Sequence, residues 1–267
     1  MTHAFDEATA LEPIDGGFRA QTHPAYNNMV GPFGGITAAT VIAALQAHPE
    51  AQGHPLSLTL NFAAPIKDGA WDVAITVLRT NRTNQHFTYV ISQGDGAVAS
   101  GTAVFGTRRD TWSDTELAFP PVQGPEGYAE LSMPEFVEWA KNYETRFVEG
   151  SLEMDGPQDG STTTMWLRDK PARPLDYPAL ASISDSFFPR VFLRRGTYVP
   201  AGTISLTTYF HASPAELEQQ GADHLLATAR AARFGHGHFD QYGQLWGRNG
   251  TLLATTHQIV YYKDPKA

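Results

Sequence analysis

A pattern that occurs twice constrains this chain more than any other feature. "DGAVASGTAVFGTRR", at residues 95–109, returns near the end as "NGTLLATTHQIVYYKD", and laying Ala254 on Ala99 offsets the copies by 155 residues. The flanking segments recur in the same order. "GPFGGITAATVIAALQAHPE" reads as a helix over 36–48, with Gly34 and Gly35 before it and Pro49 just past its end. Four strands follow, over 56–66, 70–80, 84–94 and 97–109. In the first of them Leu56, Leu58, Leu60 and Phe62 alternate with Ser57, Thr59 and Asn61, as one buried face requires. "KDG", "TNRTN" and "GDG" supply the turns of an antiparallel meander. The periodicity dissolves from Trp112 to Ser132, around Pro120, Pro121 and Pro125, and this stretch reads as a linker. "LDYPALASISDSF" then reads as a short helix with Asp176 as N-cap and Pro178 in its first turn. Strands over 202–212, 223–233, 236–248 and 251–263 complete the second copy, with Phe62 falling on Phe210 and His86–Phe87 on His238–Phe239. A period of about 150 residues is too long for a solenoid unit and points to a duplicated domain.

One buried helix wrapped by an antiparallel sheet, present twice, is an α+β tandem hotdog. The expected division is residues 1–112 for one unit, 113–140 for the linker and 141–267 for the other. A single unit leaves a sheet edge that pairs with a second copy; fusing two copies makes that pairing internal and lets the halves diverge.

Composition excludes several chemistries. There is no cysteine, which removes disulfides, thiolate nucleophiles and cysteine-based zinc sites and fits a cytoplasmic location. The formal charge of −9 disfavours nucleic acid or anionic lipid as partners. No run approaches 18 apolar residues, so no membrane span is expected, and "MTHAFDEATALEPIDGG" lacks the order of a signal peptide. The chain contains no GxSxG elbow, no Walker A loop and no dinucleotide fingerprint. "HGH" at 236–238 puts two imidazoles on one strand face without a third ligand at a familiar spacing, so no metal is expected.

Three polar residues of the second half stand out. Asp185, in "SISDSFFPR", lies at the end of a short helix among Ile183, Phe187 and Phe188, where helix dipole and apolar surroundings both disfavour a carboxylate. Thr203 falls where the first half has Pro55, and Gln258 where it has Ala103. A structural hydrogen bond would explain each residue alone. Together they are an acid, a hydroxyl and an amide on core elements of one half, and at the last two positions the other half cannot supply the chemistry. "GPFGG" offers Gly34 and Gly35 as a helix start whose backbone N–H groups a substrate could approach; an ordinary loop-to-helix turn explains them equally well.

These residues bring the chain to a known family. "FGG", "NFAAPIKDG", "LRTNRTNQHF" with "GDGAVA", "SDSFFP", "GTISLTTYFH" and "NGTLLATTHQ", in this order from about residue 14 to 263, resemble the acyl-CoA thioesterase II family, whose members are double hotdogs. The resemblance implies hydrolysis of an acyl-CoA without a cofactor, by a water held between Asp185, Thr203 and Gln258. Three departures imply a divergent branch. Ser205–Leu206 stand where the family often has Asp–His, Leu56 and Thr59 replace histidines, and Ile36 replaces a glutamine. Gly34 and Gly35 become candidates for the oxyanion site, and Arg190, Arg194 and Arg195 in "RVFLRRG" candidates for coenzyme A contact, with Arg108–Arg109 as a second basic pair. The sheet faces left over suggest a homodimer of double hotdogs. A non-catalytic acyl-CoA-binding or sensing protein is the alternative; a hotdog hydratase ranks below both, because no "HxxxxPxxPG" occurs.

Overall fold

The computed structural model describes residues 2–131, 137–152 and 156–263; residues 132–136 of the expected linker and 264–267 lie outside them. The first half runs α1 (Ala4–Ala8), β1 (Glu12–Ile14), β2 (Gly17–Gln21), α2 (Gly34–Ala47), β3 (His54–Phe62), β4 (Ala70–Thr80), β5 (Asn84–Gln93) and β6 (Gly96–Gly106). The second runs β7 (Tyr143–Glu149), β8 (Thr163–Asp169), α3 (Tyr177–Ile183), α4 (Val191–Arg195), β9 (Ala201–Phe210), α5 (Pro214–Gln220), β10 (Leu225–Arg230), β11 (Phe234–Gly235), β12 (His238–Trp246) and β13 (Leu252–Tyr262).

Apart from β11, which pairs with β12, the strands form one antiparallel path, β1-β2-β4-β5-β6-β3-β9-β13-β12-β10-β8-β7. Its centre is the joint between the halves. β3 and β9 pair with Leu60 opposite Leu206 and Thr59 opposite Thr207, and the two threonine hydroxyls meet at 3.1 Å. The edge each half would expose alone is thereby closed. The 155-residue offset survives in three dimensions. Ala99 pairs with Phe62 and Ala254 with Phe210; Ala103 pairs with Leu58 and Gln258 with Leu206. The molecule is a double hotdog.

α2 is buried almost throughout because alanine, isoleucine, valine and leucine surround it, and it packs against α3 beneath the sheet in a single core that draws on both halves. Among the described residues no helix is long and apolar enough to cross a membrane.

Five strands lie outside the sequence reading, namely β1, β2, β7, β8 and the two-residue β11. β8 shows no alternation because Thr163 to Leu167 are buried on both faces. Its outer face is covered by part of the expected linker, where Phe119, Val122 and Tyr128 pack on Trp166, Leu226 and Trp246, and Trp166 Nε1 donates to the Gln123 carbonyl at 2.9 Å. On β7 the pattern is broken by Glu144, which accepts from both Arg146 and Arg168.

Candidate active site

Asp185 sits one residue beyond the C-cap of α3. That helix starts where Asp176 accepts from the Ala179 N–H at 2.8 Å. Its end is tied off by its own serines, Ser184 donating to the Leu180 carbonyl at 2.9 Å and Ser186 to the Ile183 carbonyl at 2.7 Å. Ser182 holds the Tyr143 hydroxyl at 2.7 Å. "SISDSF" is therefore a rigid helix end, with its carbonyls satisfied locally and the carboxylate left to point inward.

Thr203 and Gln258 come from the adjacent strands β9 and β13. Counted along an ideal strand, Thr203 and the buried Leu206 would face opposite sides. The register between β13 and β9 shifts at this point, with Val260 opposite Thr203 and Ile259 opposite Ser205. Ile204 is the extra residue, and the bulge turns Thr203 to the face that carries Gln258. The first half has the same irregularity between Pro55 and Ser57, so the bulge belongs to the duplicated scaffold and the hydroxyl to this half alone.

The three side chains form one hydrogen-bonded chain. Thr203 Oγ1 donates to Gln258 Oε1 at 3.0 Å, and Gln258 Nε2 donates to Asp185 Oδ1 at 2.9 Å. The threonine proton fixes which end of the amide faces the acid. Burial pushes the Asp185 carboxyl up from 3.8 to about 7, against the opposing pull of the Gln258 amide and a backbone hydrogen bond from Gly35.

The two glycines open α2 right beside the acid. The N-terminus of α2, contributed by the first half, abuts Asp185. A Cβ on Gly34 would lie 2.6 Å from Asp185 Oδ2, and one on Gly35 would lie 2.4 Å from the Ser182 carbonyl oxygen. Hydrogen in place of a side chain lets α2 bring its positive end to the acid. The Gly35 backbone N–H at this helix start pulls the Asp185 carboxyl pKa down, against the effect of burial.

The three arginines separate. Arg190 is fully buried. Its guanidinium bonds Thr163 Oγ1 at 2.6 Å, the Ser161 carbonyl at 3.3 Å and Gln241 Oε1 at 3.2 Å, and lies 4.1 Å above the Phe188 ring. A group enclosed in this way is an internal brace and does not face a ligand in solvent. Arg194 and Arg195 are exposed in the last turn of α4, and Arg194 bonds the Gln158 and Asp159 carbonyls. Arg108 bridges the halves by donating to the Pro55 and Phe210 carbonyls. His238 Nδ1 lies 3.0 Å from the His236 carbonyl, and the described residues contain no group of three His, Cys, Asp or Glu that could hold a metal.

Sequence reasoning missed Gln241. It laid Phe87 on Phe239, but Phe87 pairs with Ala103 while Phe239 pairs with Val260. By register the counterpart of Phe87 is Gln241, which stands directly opposite Gln258.

Residues 23–106 match the family model described as the acyl-CoA thioesterase N-terminal domain, and residues 119–262 the model described as the acyl-CoA thioesterase C-terminal domain. No curated protein matches the chain. Among solved structures, a hot dog fold protein of unknown function from Alicyclobacillus acidocaldarius is 46% identical over 100% of both chains, with a TM-score of 0.96. The tesB protein of Mycobacterium avium subs paratuberculosis is 19% identical over 98% of this chain and 100% of its own, with a TM-score of 0.79. The acyl-CoA thioesterase II TesB2 of Mycobacterium marinum is 18% identical over 98% and 99%, with a TM-score of 0.78. At such identities these last two similarities speak for the fold.

Proposed function

We propose that this chain, which belongs to the acyl-CoA thioesterase family, hydrolyses an acyl-CoA to the free acid and coenzyme A with Asp185 as general base. The observation that carries the reading is the bonded chain from Thr203 through Gln258 to Asp185, which joins β9, β13 and α3 at the N-terminus of α2.

A carboxylate with an ordinary pKa near 4 is a feeble base at neutral pH. Raised to about 7, Asp185 is half ionised near neutrality and strong enough to accept a proton from water. Water oxygen attacks the thioester carbonyl carbon as its proton passes to Asp185. The tetrahedral intermediate then expels the thiolate as the C–S bond breaks, and the thiolate takes up the proton held by Asp185, which returns to its ionised form. Gln258 and Thr203 hold the acid and the attacking water in one orientation, and the positive end of α2 favours the ionised form of Asp185. No covalent enzyme intermediate is needed, in keeping with a chain without cysteine.

Thiol release from a panel of short, long, branched and aromatic acyl-CoAs tests the reading. Wild type should release thiol from at least one member, and Asp185→Asn should lower kcat/KM by roughly 10²–10⁴-fold. Acyl-CoA binding without release across the panel would make the protein a binder or sensor instead.

A further inference from the structure

Beside the trio, two buried hydroxyls have no hydrogen-bond partner among the described residues, those of Thr208 and Thr256. Thr256 stands two residues before Gln258 on the same face of β13, about 7 Å along the strand. Thr208 stands directly opposite it on β9. The two residues are 0% and 3% exposed. A hydroxyl sealed from water without a partner loses its hydration and gains nothing in return.

The scaffold does not require either hydroxyl. In the duplicated register Thr208 corresponds to Leu60 and Thr256 to Gly101, because Leu60 pairs with Gly101 as Thr208 pairs with Thr256. Gln241 corresponds to Phe87 in the same way. Three positions that are apolar or bare in one half thus carry hydrogen-bonding groups in the other, all on the inner face around Gln258. Phe187 lies against Gly243, beside Thr256. Behind Gln241 stands Arg190, whose partners among the described residues are the neutral oxygens of Phe188, Ser161, Thr163 and Gln241.

We infer that this inner face is the acyl subsite and that Thr208 and Thr256 select an acyl group carrying a hydroxyl, keto or carboxylate oxygen a few carbons beyond the thioester. The inference rests on the thioesterase reading and adds the substrate class to it. A plain alkyl chain laid along β13 leaves both hydroxyls unsatisfied. An oxygen substituent at the depth of Thr256 bonds them, and the buried guanidinium behind Gln241 favours an electron-rich group there.

The test is kcat/KM by thiol release for pairs matched in chain length: butyryl-CoA against 3-hydroxybutyryl-CoA, and hexanoyl-CoA against adipoyl-CoA. Wild type should favour the oxygenated member of at least one pair by about tenfold or more. The double variant Thr208→Val/Thr256→Val, which keeps the shape and removes both hydroxyls, should lower that ratio about tenfold. Thr208→Ser/Thr256→Ser should restore it. An equal loss on both members, or a failure of the serine pair to rescue, would mark the threonines as structural and overturn the inference. Preference for the alkyl member in both pairs also overturns it and leaves the thioesterase reading standing. No thiol release from any of the four, nor from the wider panel, overturns both.

Discussion

Asp185→Asn should separate the acid's contribution to catalysis from its effect on stability. The folded protein holds the Asp185 proton up to about pH 7, whereas the unfolded chain releases it near pH 3.9. Between those values the folded state binds more protons, so Asp185 lowers stability progressively as pH rises, and the loss is complete above pH 7. At about 1.4 kcal/mol for each pH unit, the whole interval amounts to about 4 kcal/mol. Asparagine has no such titration. The difference in unfolding free energy, variant minus wild type, should therefore rise by about 4 kcal/mol between pH 4 and pH 8. The fixed cost of placing an amide where Gln258 and Gly35 both donate shifts that difference equally at every pH. Asp169, also raised to about 7 by burial, is present in both proteins and cancels. Urea unfolding of the two proteins at half-unit pH steps measures the difference, and thiol release on the same samples measures activity. Wild-type kcat/KM should rise with pH through about 7 as Asp185 ionises, and the variant should lose that limb together with its activity. A stability difference flat in pH would show that Asp185 ionises like an exposed acid. Full activity in the variant would remove it from the mechanism.

Four further substitutions test the trio, the start of α2 and the cover over β8. Gln258→Ala cuts the chain at its middle and Thr203→Val at its end; kcat should fall about 100-fold in the first and about tenfold in the second, with KM moving less, and steady-state kinetics would show the reverse if these residues only bind substrate. Gly34→Ala places a methyl 2.6 Å from Asp185 Oδ2 and 3.1 Å from the Phe62 ring, so the carboxylate or the start of α2 must shift; kcat should drop on the order of 100-fold and thermal melting should show a lowered Tm, and an unchanged kcat would refute the need for this close approach. Phe119→Ala uncovers Trp166 and Trp246 on the outer side of the sheet and should cost about 2–3 kcal/mol in urea unfolding without changing kcat, an outcome that would fail if this segment were a free tether.

The duplication was legible because it is written in local patterns. Alternation in β3, turns between the meander strands and the Asp176 cap each need only a few neighbouring residues, and the structure keeps β4 at the very bounds read from sequence. The trio was legible because divergence after duplication leaves a comparison inside one chain, with Pro55 and Ala103 as the apolar references for Thr203 and Gln258. β7 and β8 were not, since their burial depends on a remote segment folding over Trp166 and on charges that pair with one another.

What the sequence alone determined is which residues are polar where the duplicated partner is not, and on which repeating elements they ride. Only the tertiary structure decided what those residues meet. The bulge at Ile204 turns Thr203 inward, the start of α2 reaches Asp185 from the other half, register places Gln241 opposite Gln258, and packing encloses Arg190 that composition alone would leave in solvent. The physical reason is that facing and turning are local properties of a strand or helix, whereas register and the approach of one element to another are set by packing between segments distant in sequence, 55 residues apart for Thr203 and Gln258 and 73 for Asp185 and Gln258.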